Sequence, residues 1–473
     1  MKKFNFRLSN IFFGVLIVVI VIGGWRLRSF EYEKIPFPGQ TLDEYSYTWV
    51  GMSLIQLGYP VGISGLPGYA NTEYAYINPD KIFQMTNESG ALVINYPWFD
   101  HPPGLPIVVG GWSYMKGARV FEDVSIGMIR KPMLVLSLIA LILTMTVAGI
   151  VYDRWAMIVS GGLMMASPLV VIVGRLVQAE NGFVVMYLGT VLMVALSMKI
   201  EKYRKVFWYL AAVIGSLGLW FKMTGIVSLV FLVFWGLRYG KMMALSYKEW
   251  MSPILGFGLI SLGFWVIYGY VIDWNQFWLI LQSNSGRVYG IGYEAIYNLI
   301  TKGKVTNTVF LTDPIVFMGW LGWLILLFRW RGDNWKEGIV HLGICSYLII
   351  YLFVGSYPYG WYHVPFYPFL MIGVGSLFSK LKYEKFNLLV LLILLWMTLG
   401  WLIELNVKYE LRSLYVNIWK LLVVGSLGMG MMLVNARQKR WLSSALYLLL
   451  VAVIGMSVWR IYLVSGENWF RVG

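Results

Sequence analysis

Long apolar runs and short polar connectors alternate along most of the chain. The runs fall near residues 8–27, 127–151, 155–174, 182–199, 206–222, 224–238, 251–272, 314–330, 338–355, 364–379, 386–405, 416–435 and 441–463. A helix rises about 1.5 Å per residue, so roughly 20 apolar residues cross a hydrocarbon layer of about 30 Å. The pattern predicts an all-α polytopic membrane protein with about thirteen transmembrane helices. Gly104–Lys116 is apolar but too short to cross, which fits an interfacial helix. Counting it as a span would reverse the side of every later connector. The sequence predicts one membrane domain over 1–473, with no internal repeat and no soluble carboxyl-terminal domain.

The connectors set the expected orientation. With the amino terminus in the cytoplasm, Lys2, Lys3, Arg7, Arg154, Lys199, Lys202, Arg204 and Lys205 lie inside, as do the basic residues of 238–248, 329–336, 380–385 and 437–440. Short basic loops on the cytoplasmic side are what the positive-inside rule requires. The outer face then receives the first outer loop, 28–126, and a second outer segment, 273–313. The opening MKKFNFR and the apolar run behind it resemble a secretory signal. They carry no evident small-residue cleavage site and read as an uncleaved first span.

Composition agrees: 59% of residues are hydrophobic and 13% charged, about half the charged share of soluble domains. The 38 Lys+Arg against 23 Asp+Glu give a net charge of +15. Because the basic residues are dispersed among connectors, that charge sets orientation and argues against a nucleic-acid partner. Cys345 is the single cysteine, so no intrachain disulfide framework is expected.

Four places carry candidate chemistry. Asp43 and Glu44 follow the first span in LDEYSY, where a carboxylate pair beside a bilayer is either a base or metal ligand, or a solvated loop pair. Asp100 and His101 stand before two prolines in FDHPPG, which would fix them at the mouth of the interfacial helix. Arg175 and Glu180 lie in the turn RLVQAEN, on the same outer face. Lys222, in LWFKMTG, is alone between two spans and either snorkels to the interface or binds an anion.

These motifs, in this order and with a later GWYHVPFYPF stretch, resemble the GT-C superfamily of integral-membrane glycosyltransferases. The resemblance is strongest over residues 40–225, toward the branch holding protein O-mannosyltransferases and the lipid A aminoarabinose transferase. It implies a GT-C-like fold and inverting sugar transfer from a polyprenyl-phosphate donor to a hydroxyl acceptor at the outer face. By position, Asp43 matches the family's catalytic acidic residue in the first outer loop, Glu180 a second acidic residue and Lys222 a donor-phosphate ligand. The chain departs from the family in having HPPG where many relatives have HPPL, and in lacking the tryptophan-tryptophan-aspartate signature of oligosaccharyltransferases.

The residues support the same chemistry by themselves. Glycosyl transfer needs a carboxylate to take the acceptor proton and cations to hold the departing phosphate. Asp43 is the expected base, with Glu180 and Asp100 supporting it and His101 among the binding residues. Lys222 and Arg175 are the expected phosphate ligands, and Arg287 in QSNSGRVYG is a weaker one. Tyr362 and His363 either line the pocket or form an aromatic belt. A divalent cation is compatible with this set, but no ligand spacing demands one. The competing reading is a transporter or flippase of lipid-linked sugars. It fits less well, because the charges sit at span ends and no repeat symmetry is evident.

Overall fold

The computed structural model describes the chain except residues 1, 39–42, 70–72, 78–90, 286–292, 307–308, 355–358, 382–384, 408–415, 418, 422, 426–427, 429–435 and 466–473. Helices dominate. Among the described residues six are long and apolar enough to cross a membrane: Asn10–Ser29, Ile126–Val151, Ala179–Lys199, Tyr247–Ser285, Leu388–Asn406 and Trp441–Ser465. Shorter apolar helices run over Met223–Tyr239, Pro314–Arg329 and Tyr367–Ser379. The protein is therefore a multi-pass integral membrane protein. The expected run at 416–435 falls largely outside the described residues.

In chain order, α1 is Lys2–Ser29, α2 Asp43–Leu57, α3 Gly104–Met115, α4 Ile126–Val151, α5 Arg154–Ala166, α6 Pro168–Val173, α7 Ala179–Lys199, α8 Arg204–Phe221, α9 Val227–Tyr239 and α10 Tyr247–Ser285. Then come α11 Tyr293–Thr301, α12 Pro314–Arg329, α13 Trp335–Val354, α14 Gly360–His363, α15 Tyr367–Ser379 and α16 Lys385–Asn406, before a last helix, Ala436–Ser465. Helices α4, α5, α7 and α15 pack on one another at the centre. Apolar residues on the rim, among them Val15, Val18 and Ile22 of α1 and Leu255, Leu259 and Phe264 of α10, are exposed. Large apolar side chains facing outward suit a surface solvated by lipid.

Three features differ from the sequence expectation. The run 155–174 is two helices, because Ser167 caps a new start and Pro168 occupies its first turn. The span expected to end at 272 continues past a break: Asp273 is extended (φ −168°, ψ 103°) and its Oδ1 accepts from the Gln276 N–H at 3.0 Å. A second helical arm therefore starts at Asp273 and runs to Ser285. The segments expected on the outer side also hold antiparallel strand pairs, so the fold is not purely α. Strand β1 (Glu73–Ile77) pairs with β2 (Ala91–Asn95), Glu73 opposite Asn95. Strand β3 (Lys302–Lys304) pairs with β4 (Phe310–Thr312), Gly303 opposite Leu311.

The expected interfacial helix Gly104–Lys116 is α3. It lies against α2 with backbones in contact: a Cβ on Gly51 would stand 1.8 Å from the Pro106 carbonyl oxygen, and one on Gly110 would stand 2.4 Å from the Gly51 carbonyl carbon. Only glycine allows that approach. At its other end, a Cβ on Gly104 would meet the Trp220 carbonyl oxygen at 2.4 Å. The HPPG departure thus has a physical reason here. Gly104 lets the start of α3 rest on the end of α8, which brings the segment before α3 beside Lys222.

Candidate active site

A cavity of about 300 Å³ opens where five separated segments meet. The segment before α3 supplies Phe99, Asp100 and His101, the first turn of α7 supplies Glu180, and the turn after α8 supplies Lys222, Met223 and Thr224. Helix α10 and its arm contribute Trp265, Phe277, Leu281, Asn284 and Ser285. The end of α13 and α14 contribute Tyr347, Ile350, Tyr351 and Tyr362. One wall is mainly apolar and aromatic, and the other carries the charged groups.

Lys222 donates to Glu180 Oε1, and its Nζ lies 4.2 Å from the centre of the Tyr362 ring. The side chain of Glu180 is 1% exposed, so this ion pair is largely withdrawn from water. Asp100 is held in place: its Oδ2 accepts from Ser64 Oγ at 2.6 Å and its Oδ1 from the Tyr69 hydroxyl at 2.9 Å, while Asn284 donates to its carbonyl at 3.2 Å. The Tyr69 hydroxyl in turn accepts from the Phe99 N–H at 2.7 Å. Burial and the neighbouring Asp100 raise the Tyr69 phenol, so it stays a proton donor to that carboxylate. His101 stacks on Tyr47, with ring centres 5.6 Å apart, and lies edge-on to Trp98.

Asp43 and Glu44 separate. Glu44 is fully buried in a two-pronged ion pair with Arg130, Nε to Oε1 at 2.8 Å and Nη2 to Oε2 at 2.7 Å. The Val177 N–H also bonds to it, at 3.2 Å. Asp43, exposed at the start of α2, accepts from Gln178 Nε2 at 3.2 Å. It does not line the cavity but stands beside it. Tyr47, which stacks on the cavity residue His101, has its phenol driven well above the ordinary range by burial, then by the charges of Asp43 and Glu180, with Tyr362 and Asp100 contributing.

Several expectations need correction. Glu44 is not placed to touch a substrate, because Arg130 and Val177 consume its carboxylate inside the protein. Arg175 does not line the cavity. It is fully buried and donates to the carbonyls of Leu27, Arg28 and Ile35 and to Ser465 Oγ, so its guanidinium ties the end of α1 to the turn before α7. His363 lies behind the wall, its Nε2 3.1 Å from the hydroxyl of Tyr351. Arg287 lies outside the described residues. Among the described residues no three His, Cys, Asp or Glu side chains cluster closely enough to hold a metal ion.

Sequence reading missed Arg130, Gln178, Tyr47, Tyr69 and Thr224. Arg130 had a usable signal: an arginine at a span end expected to face outward runs against the basic-inside bias and so calls for a buried acid. The others carried none, since neutral side chains in outer segments are common.

Residues 100–267 match the family described as dolichyl-phosphate-mannose-protein mannosyltransferase. No curated protein matches the chain. Among solved structures, the fold is similar to ArnT from Cupriavidus metallidurans bound to undecaprenyl phosphate (12% identity, TM-score 0.56, 95% of this chain and 77% of that one). The apo form gives 13% identity, a TM-score of 0.57 and coverage of 97% and 78%. Arabinosyltransferase EmbB from Mycobacterium smegmatis is similar at 12% identity and TM-score 0.55, over 95% of this chain and 41% of its own. The GT-C resemblance drawn from the motifs is borne out by both kinds of comparison.

Proposed function

We propose that the protein is an inverting membrane glycosyltransferase that moves a sugar from a polyprenyl-phosphate donor to a hydroxyl acceptor, with its site on the outer face. The observation carrying this reading is the meeting of Lys222, Glu180, Asp100, His101 and Tyr362 in one cavity with an apolar wall. A polyprenyl-phosphate sugar has matching parts: a lipid tail for the wall, an anion for the ammonium and a polar ring between them. That ArnT binds undecaprenyl phosphate in the same fold supports this donor class.

Asp43 is the proposed base, because it is the exposed member of its pair. It takes the acceptor proton as the acceptor oxygen attacks the anomeric carbon from the face opposite the phosphate. The bond from that carbon to the phosphate oxygen breaks with its electron pair, and Lys222 steadies the charge that appears. An ammonium has three N–H donors, so holding Glu180 does not exhaust it. Asp100 and Glu180 act as supports: Asp100 anchors the segment bearing His101, and Glu180 sets the position of Lys222.

The test is to incubate the purified protein with undecaprenyl-phosphate mannose, glucose and 4-amino-4-deoxyarabinose and follow donor consumption. Loss of one donor, abolished by Asp43→Asn, is expected. Movement of intact lipid-linked sugar across vesicles, with no donor cleaved, would favour the transporter reading instead.

A further inference from the structure

Two polar atoms at the charged wall lack any hydrogen-bond partner: Glu180 Oε2 and Thr224 Oγ1. Both atoms are buried, and Glu180 as a residue is 1% exposed. Buried polar atoms in folded proteins are nearly always satisfied, so a pair of orphans on one cavity needs an explanation. The neighbouring groups are committed elsewhere. Lys222 occupies the other oxygen of Glu180, and both carboxylate oxygens of Asp100 accept from Ser64 and Tyr69.

We infer that Glu180 Oε2 and Thr224 Oγ1 hold the sugar of the donor by its polar substituents and so determine which sugar is accepted. The inference rests on the transferase reading above and adds to it which atoms meet the sugar rather than the phosphate. An ionised carboxylate oxygen only accepts hydrogen bonds. Glu180 Oε2 is therefore unfavourable to phosphate and suited to a hydroxyl or an ammonium group. Thr224 both donates and accepts, which fits a hydroxyl on the same ring. Its backbone is held in place, since a Cβ on the next residue, Gly225, would stand 2.2 Å from the Gly218 carbonyl oxygen. The turn is thus pressed against α8 and cannot easily swing Thr224 away. Lys222, two residues earlier, would take the phosphate, so one short turn would offer a contact to the anion and, through Thr224, one to the sugar.

A site built to bond a polar group rejects analogues lacking it, because its own buried atoms then stay unpaired. The experiment compares binding of bare undecaprenyl phosphate with binding of whichever sugar-bearing donor the parent consumes, in parent, Thr224→Val, Thr224→Ser and Glu180→Gln proteins. In Thr224→Val, affinity for the sugar-bearing donor should fall about tenfold, the scale of one hydrogen bond. Affinity for bare undecaprenyl phosphate should stay at the parent value, and Thr224→Ser should recover donor binding. In Glu180→Gln, which also loosens Lys222, bare undecaprenyl phosphate binding is expected to change, and the reading is the ratio: the preference for the sugar-bearing donor over bare phosphate should shrink. An unchanged ratio of the two affinities in both Thr224→Val and Glu180→Gln would overturn the inference, as would an equal loss of both ligands. If the parent neither binds nor consumes any of the three donors, the transferase reading itself fails, which is a separate outcome.

Discussion

Glu44 and Arg130 bind each other through two parallel contacts, with neither side chain exposed to solvent. The remaining donor of Arg130, Nη1, reaches the carbonyls of Tyr32 at 2.7 Å and Pro36 at 2.8 Å. One guanidinium thus joins the exit of α1, the start of α2 and the start of α4. The pair also leaves Asp43 as the exposed member of the two adjacent acids.

Removing half of this pair should be costly. Arg130→Met leaves the Glu44 carboxylate buried without its counter-ion, and breaking a buried pair in this way costs about 3–5 kcal/mol. Thermal unfolding in detergent should show a marked drop, and adding Glu44→Gln should restore much of it. An Arg130→Met protein as stable as the parent would contradict the structural role assigned to the pair.

The two acids should fail differently. Asp43→Asn is expected to slow transfer by roughly 10²–10⁴-fold, the usual worth of a general base, without lowering the unfolding temperature. Glu44→Gln is expected to lower stability, with a smaller effect on the rate of the folded fraction. Rate and melting measurements on both variants separate the roles, and the reverse pattern would exchange them.

Lys222→Met should weaken binding of undecaprenyl phosphate by ~1.5–3 kcal/mol, the worth of a charge-assisted hydrogen bond. Arg175→Met should instead impair folding, because four acceptors around the guanidinium lose their donor. Ligand titration of whichever variants purify distinguishes them, and an undiminished affinity in Lys222→Met would return Lys222 to the role of an interfacial anchor.

Gly104→Ala places a methyl group 2.4 Å from the Trp220 carbonyl oxygen. Overpacking of this kind costs about 1–3 kcal/mol and moves backbone. Since the displaced segment carries Asp100 and His101 next to Lys222, donor turnover should fall along with the melting temperature. A variant with parent activity would mean that this close approach does not position the cavity.

The basic connectors predict which side of the membrane each segment faces. In a Cys345→Ser background, a cysteine at the exposed Val120 should react with an impermeant reagent from outside, and one at the exposed Lys202 only after the membrane is opened. Val120 labelled solely from the cytoplasmic side would invert the topology and move the site to the inner face.

The sequence by itself determined the membrane class, because crossing a hydrocarbon layer demands continuous apolar length that no distant contact can supply. It also placed the start of α3 at Gly104, where two prolines permit a helix to begin. Connector charge led to the expectation that the acids gather on one face, and Glu180, Lys222, Asp100, His101 and Tyr362 do share one cavity. What became of individual charges was decided only by tertiary structure. Glu44 looks like its neighbour Asp43 until Arg130, 86 residues away, arrives beside it. Arg175 looks like a phosphate ligand until carbonyls 140 and more residues distant surround it. The break at Asp273 and the orphaned oxygens of Glu180 and Thr224 are equally matters of packing. A charge in sequence announces that it needs a partner, but which partner reaches it first depends on how the helices close around it.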